Sequence, residues 1–246
     1  MKVNAIIQAR CGSTRFPNKV FAPIDGKPLI WHVVNRLRYV KFLDDIIVAT
    51  TINTIDDQIE KWCIDNNVKC FRGSENDVLN RYYSAAKAYP SDYVVRITAD
   101  DPFKEPTVID KVIDTLVSNK LDYVTNNYPP SYPEGLDCEA FSMKTLETME
   151  KKATENIERE HVTQYVFRHL DEFKIANVSC ERMLKQYRWT IDTELDYQYV
   201  LAIYAARKNK NGPLLMEEIL SILNENPQIL EINSSVHRSL MYEDKK

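Results

Sequence analysis

A regular alternation between short apolar runs and helix-spaced stripes constrains this chain more than any other feature. Val3 to Ala9 is an apolar run of strand length with polar residues on either side. Leu29, Ile30, Val33, Val34 and Leu37 then recur at helical spacing, with Pro28 suited to a first turn. Asp45 to Thr51 reads as a second buried strand, followed by the helical stripe Ile55, Ile59, Trp62 and Cys63. Val68 to Phe71 is a third strand, and a helix begins at Asp77, whose carboxylate suits an N-cap. Asp92 to Thr98 is again a strand. A helix carrying Val108, Ile109, Val112, Ile113, Leu116 and Val117 follows, then a strand from Leu121 to Thr125. Short strands buried on both faces and joined by helices predict a layered α/β fold with a mostly parallel sheet.

The second half is less regular. Cys138 to Ser142 and Phe173 to Val178 read as strands. Thr145 to Lys152, Glu158 to Leu170, Glu194 to Lys208 and Leu214 to Asn224 read as helices. Asn126 to Gly135, rich in proline, is expected to loop over the sheet edge. No repeat or linker divides the chain, so residues 1–246 are expected to form one domain. Residues 227–246 carry no usable motif and would either pack on that domain or serve a dimer.

Composition narrows the function classes. A net charge of −4 argues against a nucleic-acid binder. No apolar run reaches the roughly 18 residues that span a bilayer, and the N-terminal run is too short for a signal peptide. The five cysteines are odd in number and contain no Cys-x-x-Cys pair, which argues against disulfides and zinc. A cytoplasmic setting is the expectation. His32, Tyr82 and Tyr83 fall where packing roles are expected. Glycine is scarce, with five residues in all, so each position is informative.

Charge is unevenly distributed. Residues 1–27 carry Lys2, Arg10, Arg15, Lys19 and Lys27 against Asp25 alone, a local +4. Three of these lie in the loop Gln8-Ala9-Arg10-Cys11-Gly12-Ser13-Thr14-Arg15-Phe16-Pro17-Asn18-Lys19, which follows the first strand. Open α/β sheets bind ligands beyond the carboxyl ends of their strands. Backbone and hydroxyl donors between two arginines suit a phosphate chain. The spacing matches neither a Walker A loop nor a Gly-x-Gly-x-x-Gly turn. Acid collects elsewhere. Asp100 and Asp101 end the Arg96-Ile97-Thr98 strand, and Asp192 follows Arg188-Trp189-Thr190-Ile191, a second β-prone run. Each acid reads either as a helix cap or solvated surface residue, or as a ligand for Mg²⁺ bridging to phosphates. One Asp from each of two strand ends, facing a cationic loop, would make a metal–triphosphate site.

Taken in order, these segments resemble a known family. Ile6-Ile7-Gln8-Ala9-Arg10, Gly12-Ser13-Thr14-Arg15, Pro17, Lys19 and Gly26-Lys27-Pro28-Leu29 are similar to the spore-coat polysaccharide type cytidylyltransferases, relatives of CMP-sialic acid and CMP-Kdo synthetases. The likeness continues through Gly73-Ser74-Glu75-Asn76-Asp77, Arg96-Ile97-Thr98-Ala99-Asp100, Tyr132-Pro133-Glu134-Gly135-Leu136-Asp137, Arg159-Glu160-His161 and Arg188-Trp189-Thr190-Ile191-Asp192-Thr193.

The resemblance implies a three-layer α/β/α nucleotidyltransferase that uses CTP and Mg²⁺. It implies that Gln8, Ala9, Arg10, Gly12, Ser13, Thr14, Arg15, Lys19, Asp77, Arg81 and Thr98 bind the nucleotide. Arg10, Arg15, Lys19 and Asp100 would act in catalysis, and Asp100 and Asp192 would hold the metal. Asp137, Glu139, Arg159 and His161 would face a small-molecule acceptor, with Asp137 and Glu139 on one strand face and Glu160-His161 opening a helix. Residues 126–180 would form an acceptor-side and dimerisation insertion, and the relatives' habit implies a homodimer.

There are departures from the family pattern. Asn18 stands where the family has glycine, and asparagine is the best substitute in a left-handed turn. Glu194-Leu195-Asp196 lacks the usual proline, and whether Asp101 is a ligand is open. CMP transfer with release of pyrophosphate would serve surface polysaccharide or glycoconjugate synthesis. The acceptor would be a sugar acid or a phosphorylated or phosphonate compound. Alternatives are a metal-dependent glycosyltransferase using a nucleotide sugar and a catalytically silent nucleotide-binding protein.

Overall fold

The computed structural model describes residues 1–237. Residues 238–246, the end of the motif-free 227–246 segment, lie outside the described residues. In chain order the elements are β1 (Val3–Gln8), β2 (Pro23–Ile24), β3 (Lys27–Pro28), α1 (Leu29–Leu37), β4 (Asp45–Thr51), α2 (Asp57–Asp65), β5 (Lys69–Gly73), α3 (Val78–Ala88), β6 (Tyr93–Thr98), α4 (Pro106–Ser118) and β7 (Tyr123–Thr125). The second half adds β8 (Glu139–Ser142), α5 (Met143–Lys152), α6 (Asn156–Glu160), α7 (Gln164–Arg168), β9 (Ile175–Asn177), α8 (Glu194–Ala205) and α9 (Met216–Glu225).

Seven strands form one sheet in the order β5-β4-β1-β6-β8-β7-β9. β5, β4, β1 and β6 run parallel, β8 is antiparallel to both neighbours, and β9 pairs parallel with β7. Strand side chains alternate between two apolar layers, the period-two rule for a sheet covered on both faces. Ala5, Ile7, Val48, Val95 and Ile97 pack with α1, α4, α8 and α9. Ile6, Ile47, Ala49 and Val94 pack with α3, α5 and the α7 segment. Ile6 and Ile7 are completely buried on opposite faces, each contributing about 1.5–3 kcal/mol by burial.

This is the expected mostly parallel α/β/α architecture. The predicted elements of the first half all form and differ only at their ends. No helix among the described residues is long and apolar enough to cross a membrane.

Two expectations change. The single helix expected from Glu158 to Leu170 is two short helices, α6 and α7, separated by Val162 at φ 49°. The Val162 side chain is fully buried in the layer under α3 and α5, so tertiary packing overrides helical continuity. Glu160 and His161 therefore close a helix rather than open one. The 126–135 loop leaves β7 and packs against the end of β9, the edge strand, where Tyr128 N–H donates to Asn177 Oδ1 (3.0 Å) and Asn177 Nδ2 donates to the Pro129 carbonyl (3.2 Å). Residues 126–180 supply β8 and β9 to the common sheet.

His32 is buried and bridges the Ile24 carbonyl (2.7 Å) and the Tyr204 hydroxyl (3.1 Å). Burial holds its imidazole near pKa 4. Tyr82 is buried under the sheet and Tyr83 packs beside it, in keeping with structural roles. Beyond α9, a short helical turn at Pro227–Glu231 buries Ile229, and Asn233 donates to Asp196 (3.2 Å), so this stretch packs on the domain.

Candidate active site

The loop after β1 is shaped by its own backbone. Asn18 N–H and Ser13 N–H both donate to the Cys11 carbonyl, at 3.0 and 2.9 Å. Cys11 N–H donates to Asp56 Oδ1 (2.7 Å), which ties the loop to the turn between β4 and α2. Asn18 takes the left-handed conformation, φ 57° and ψ 23°, as expected for glycine's stand-in. Cys11, although it lies in the loop, is buried. Burial and the neighbouring Asp56 push its thiol up to about 12, so it is not an activated nucleophile.

After this turn Lys19 points inward. Its Nζ donates to Asp100 Oδ2 (3.0 Å), Asp192 Oδ1 (2.9 Å) and the Ile191 carbonyl (2.8 Å). Burial alone would lower the Lys19 pKa, but the two carboxylates outweigh it and hold the ammonium above its usual value. Burial likewise acts to raise Asp100. Lys19 and the Thr98 hydroxyl overcome this and hold it down at about 2. Asp192 also meets Arg15 Nη2 (3.1 Å) and Arg188 Nη2 (3.1 Å).

Asp192 does not end a strand, contrary to expectation. Its segment meets β-structure only through an isolated Glu134–Arg188 bridge and Ile191 N–H donating to the Asp100 carbonyl (2.9 Å). Arg188 anchors it, pairing with Glu134 (2.8 Å) and Asp196 (2.9 Å), while Asp196 closes a capping box with Thr193 at the start of α8. The cap thus survives without the family's proline.

Asp101, adjacent to Asp100, has a separate role. It is buried, accepts from Thr98 Oγ1 (2.8 Å) and pairs with Lys104 (2.8 Å). Burial and the Asp100 charge push its carboxyl up. Among the described residues no three or more His, Cys, Asp or Glu side chains gather as a metal cluster. The carboxylates that converge on one cation position are Asp100 and Asp192, with the Ile191 carbonyl beside them. This all-oxygen set suits a hard divalent ion that completes its shell with water and phosphate.

Two cavities meet at these carboxylates. The larger, about 700 Å³, is lined by Gln8, Ala9, Arg10, Ser13, Thr14, Arg15, Lys19, Arg81, Arg159 and His161, among others. The smaller, about 160 Å³, contains Arg96, Asn127, Glu134, Asp137, Glu139, Phe167 and Thr190. Thr98, Asp100 and Asp192 line both.

The structure therefore gathers most of the expected nucleotide set on one wall and divides the expected acceptor set. Asp137 and Glu139 line the small cavity, whereas Arg159 and His161 line the large one. Burial lowers the His161 pKa, against the pull of Glu160 and with a smaller contribution from Arg96. Gly12 is exposed on the loop, 3.8 Å from Glu75 Oε1 as judged from an added Cβ. Asp77 caps α3 (Asn80 N–H, 2.9 Å) and grips Arg159 through two bonds of 3.0 and 2.6 Å. It reaches the cleft through that arginine. Arg10 pairs with Glu75 (3.1 Å) at the cleft mouth. Arg81 is buried, its pKa lowered mainly by burial, and its Nε has no hydrogen-bond partner.

Sequence reasoning passed over Arg96, Glu134 and Arg188 as site residues. Arg96 had a usable signal, since a lone charge inside the apolar run Tyr93-Val94-Val95-Arg96-Ile97 needs a partner. Glu134 and Arg188 stand inside the family-like segments, but nothing local marks them as a pair, because they meet only through folding.

The chain matches the family model described as Cytidylyltransferase over residues 4–231. A spore coat polysaccharide biosynthesis protein of Bacillus subtilis is 33% identical over 229 residues, covering 90% of this chain and 94% of its own. A cytidylyltransferase from Leptospira borgpetersenii serovar Hardjo-bovis superposes with a TM-score of 0.89 at 33% identity, over 97% of this chain and 100% of that one. A CMP:2-keto-3-deoxy-manno-octonic acid synthetase solved with CTP shares the fold, with a TM-score of 0.64 at 17% identity, over 83% of this chain and 99% of that one.

Proposed function

The chain belongs to the cytidylyltransferase family and is a CTP-dependent nucleotidyltransferase, and from that premise we propose that it transfers CMP to the hydroxyl of a polyhydroxylated sugar acid, with Mg²⁺ as cofactor, in surface glycan synthesis. The observation that carries this reading is the pair of cavities sharing Thr98, Asp100 and Asp192. The larger cavity has the arginines, the lysine and the hydroxyl donors that a triphosphate needs. The smaller would hold the acceptor with its hydroxyl at the shared wall.

The small cavity's chemistry favours a sugar acid over a phosphate monoester. Its lining is rich in acceptors: Glu134, Asp137 and Glu139 with the hydroxyls of Thr125 and Thr190. Its guanidinium, Arg96, is held by Glu139 and by Gln8 Oε1 (3.2 Å). Hydroxyl groups can donate to these carboxylates, and the Phe167 ring can cover a sugar's C–H face. A dianionic phosphate would meet about twice the like-charge repulsion of a sugar acid's single carboxylate.

Asp100 and Asp192 would hold Mg²⁺, which when bound neutralises phosphate charge and polarises the α-phosphate. Arg10 and Arg15 would counter the remaining charge of the triphosphate. The acceptor hydroxyl gives up its proton to water as its oxygen bonds to the α-phosphorus and the bond to the β-phosphate breaks, and pyrophosphate leaves with the electron pair. The protein contributes orientation and preorganised charge.

Family membership sets aside the nucleotide-sugar glycosyltransferase reading. A homodimer through residues 126–180 belongs to the same proposal. Ile157 and Leu170 are exposed apolar residues in that segment, and light scattering of the purified protein tests the assembly. The decisive experiment is pyrophosphate release from each of the four nucleoside triphosphates across sugar acids, sugar phosphates and polyol phosphates. Release with CTP and a sugar acid supports the proposal. Release only with phosphate esters refutes the acceptor assignment, and no release with any acceptor refutes the transfer itself.

A further inference from the structure

The Lys19 ammonium has three hydrogens, and all three are used. They go to Asp100 Oδ2, Asp192 Oδ1 and the Ile191 carbonyl, at 3.0, 2.9 and 2.8 Å. Its side chain is only 12% exposed. In this arrangement Lys19 has no donor left for a triphosphate, although it lines the triphosphate cavity. It also occupies the point where the two acidic side chains converge. A divalent ion bound by those oxygens at about 2.1 Å would lie against the ammonium, with like charges in contact. The outer oxygen of Asp192 is no open alternative, because Arg188 Nη2 holds Oδ2 (3.1 Å).

We propose that Lys19 is an internal stand-in for the metal, holding Asp100 and Asp192 together until the metal–CTP complex arrives and then passing its three donors to the triphosphate. The inference rests on the metal assignment made above. The stand-in solves an electrostatic problem. Two carboxylates aimed at one point repel each other, and Lys19 neutralises them without any bound ion. The change can be confined to the side chain. The backbone before Lys19 is set by the left-handed Asn18 turn, while the four-carbon stem is flexible and its ammonium is a mobile point charge.

A thermodynamic consequence follows. Metal alone must displace Lys19 and leaves it with no anion, whereas metal with CTP supplies one. Metal and nucleotide must therefore bind with positive coupling, and the coupling must be reciprocal.

The test is Mn²⁺ binding, followed by electron paramagnetic resonance, with and without a non-hydrolysable α,β-methylene analogue of CTP. Wild-type protein should bind Mn²⁺ at least about tenfold more tightly with the analogue than without it, inside the usual span of coupled sites. Lys19→Met should bind Mn²⁺ alone about tenfold more tightly than wild type, and the analogue should add less to it than it adds to wild type, leaving only the direct metal–phosphate contribution. Lys19→Arg, which keeps a cation at the carboxylates, should restore weak binding of Mn²⁺ alone. Adding Asp100→Asn to Lys19→Met should erase the gain, which places the ion on Asp100.

Lys19→Met binding Mn²⁺ alone no better than wild type overturns the proposal. So does a wild-type protein whose Mn²⁺ affinity ignores the analogue, and that measurement needs no variant to fold. The two readings fail separately. CTP-dependent pyrophosphate release with no such coupling sinks the stand-in alone, whereas absence of release with every acceptor sinks the transfer.

Discussion

Arg96 and Glu139 face each other in register across the antiparallel strands β6 and β8, and their side chains form a salt bridge beneath the small cavity. Glu139 also accepts from the Tyr123 hydroxyl and from Thr163 Oγ1 (2.8 Å). Removing one member of such a pair strands the other charge in low dielectric. Glu139→Ala should therefore cost about 3–5 kcal/mol, read from urea denaturation. Glu139→Gln retains hydrogen bonding and should cost less while still raising the acceptor KM. A Glu139→Ala protein as stable as wild type would show that the pair does not brace this wall.

The acid limb of the stability curve should be set in part by the same groups. Asp100 is held at about 2 against an ordinary 3.8, and Glu139 and Asp196 are also lowered, each because cationic partners outweigh burial. A carboxylate whose folded pKa is lowered contributes stability above its unfolded pKa and loses it as pH falls through the folded one. For Asp100 that contribution is about 2 kcal/mol, lost between roughly pH 4 and pH 2. Asp101, raised by burial, acts in the opposite direction. Urea midpoints measured from pH 6 to pH 2.5 should fall in that window, and Asp100→Asn should flatten the fall. A profile identical in the variant would remove Asp100 from this account.

Gly135 is needed for its shape. Its φ is +100°, and an added Cβ would lie 2.8 Å from both Trp189 C and Thr190 N, which are backbone atoms that cannot swing aside. Gly135→Ala should destabilise the protein by about 1–3 kcal/mol and displace Thr190 from the small cavity. The expected result is a lower melting temperature with a raised acceptor KM and a nearly unchanged KM for CTP. A raised CTP KM with normal acceptor KM would mean that the two cavities are assigned the wrong way round.

At the shared wall, Asp100→Asn should abolish turnover while far-ultraviolet circular dichroism stays native. Near-normal turnover would refute the metal assignment. Arg15→Ala removes a mostly exposed side chain that reaches Asp192. It should weaken CTP binding by about 1.5–3 kcal/mol, the range for a charged hydrogen bond. Calorimetry showing unchanged CTP affinity would take Arg15 out of the triphosphate cavity.

What was legible before folding is whatever depends on near neighbours in the chain. The period-two and helical stripes expose β1, β4, α4 and the rest of the parallel half, because burial on two faces writes itself into every second or fourth residue. The Arg10–Lys19 loop announces an anion through local charge, and Asn18 announces a left-handed turn through its own side chain. Local pattern also misleads where a distant packing partner decides. Val162, whose flanking residues suit a helix, is drawn into the layer beneath α3 and α5, and the helix breaks there.

The sequence by itself determined a mostly parallel α/β sheet with a cationic loop at its carboxyl edge and acid in two later segments. The tertiary structure decided which of those charges meet. Lys19 and Asp192 are 173 residues apart, and Asp137 and His161, read together from the sequence, line different cavities. The physical reason is range. Helix and strand propensity act over a few residues, whereas a site needs side chains held within about 3 Å of one another, and only the packed sheet supplies those distances.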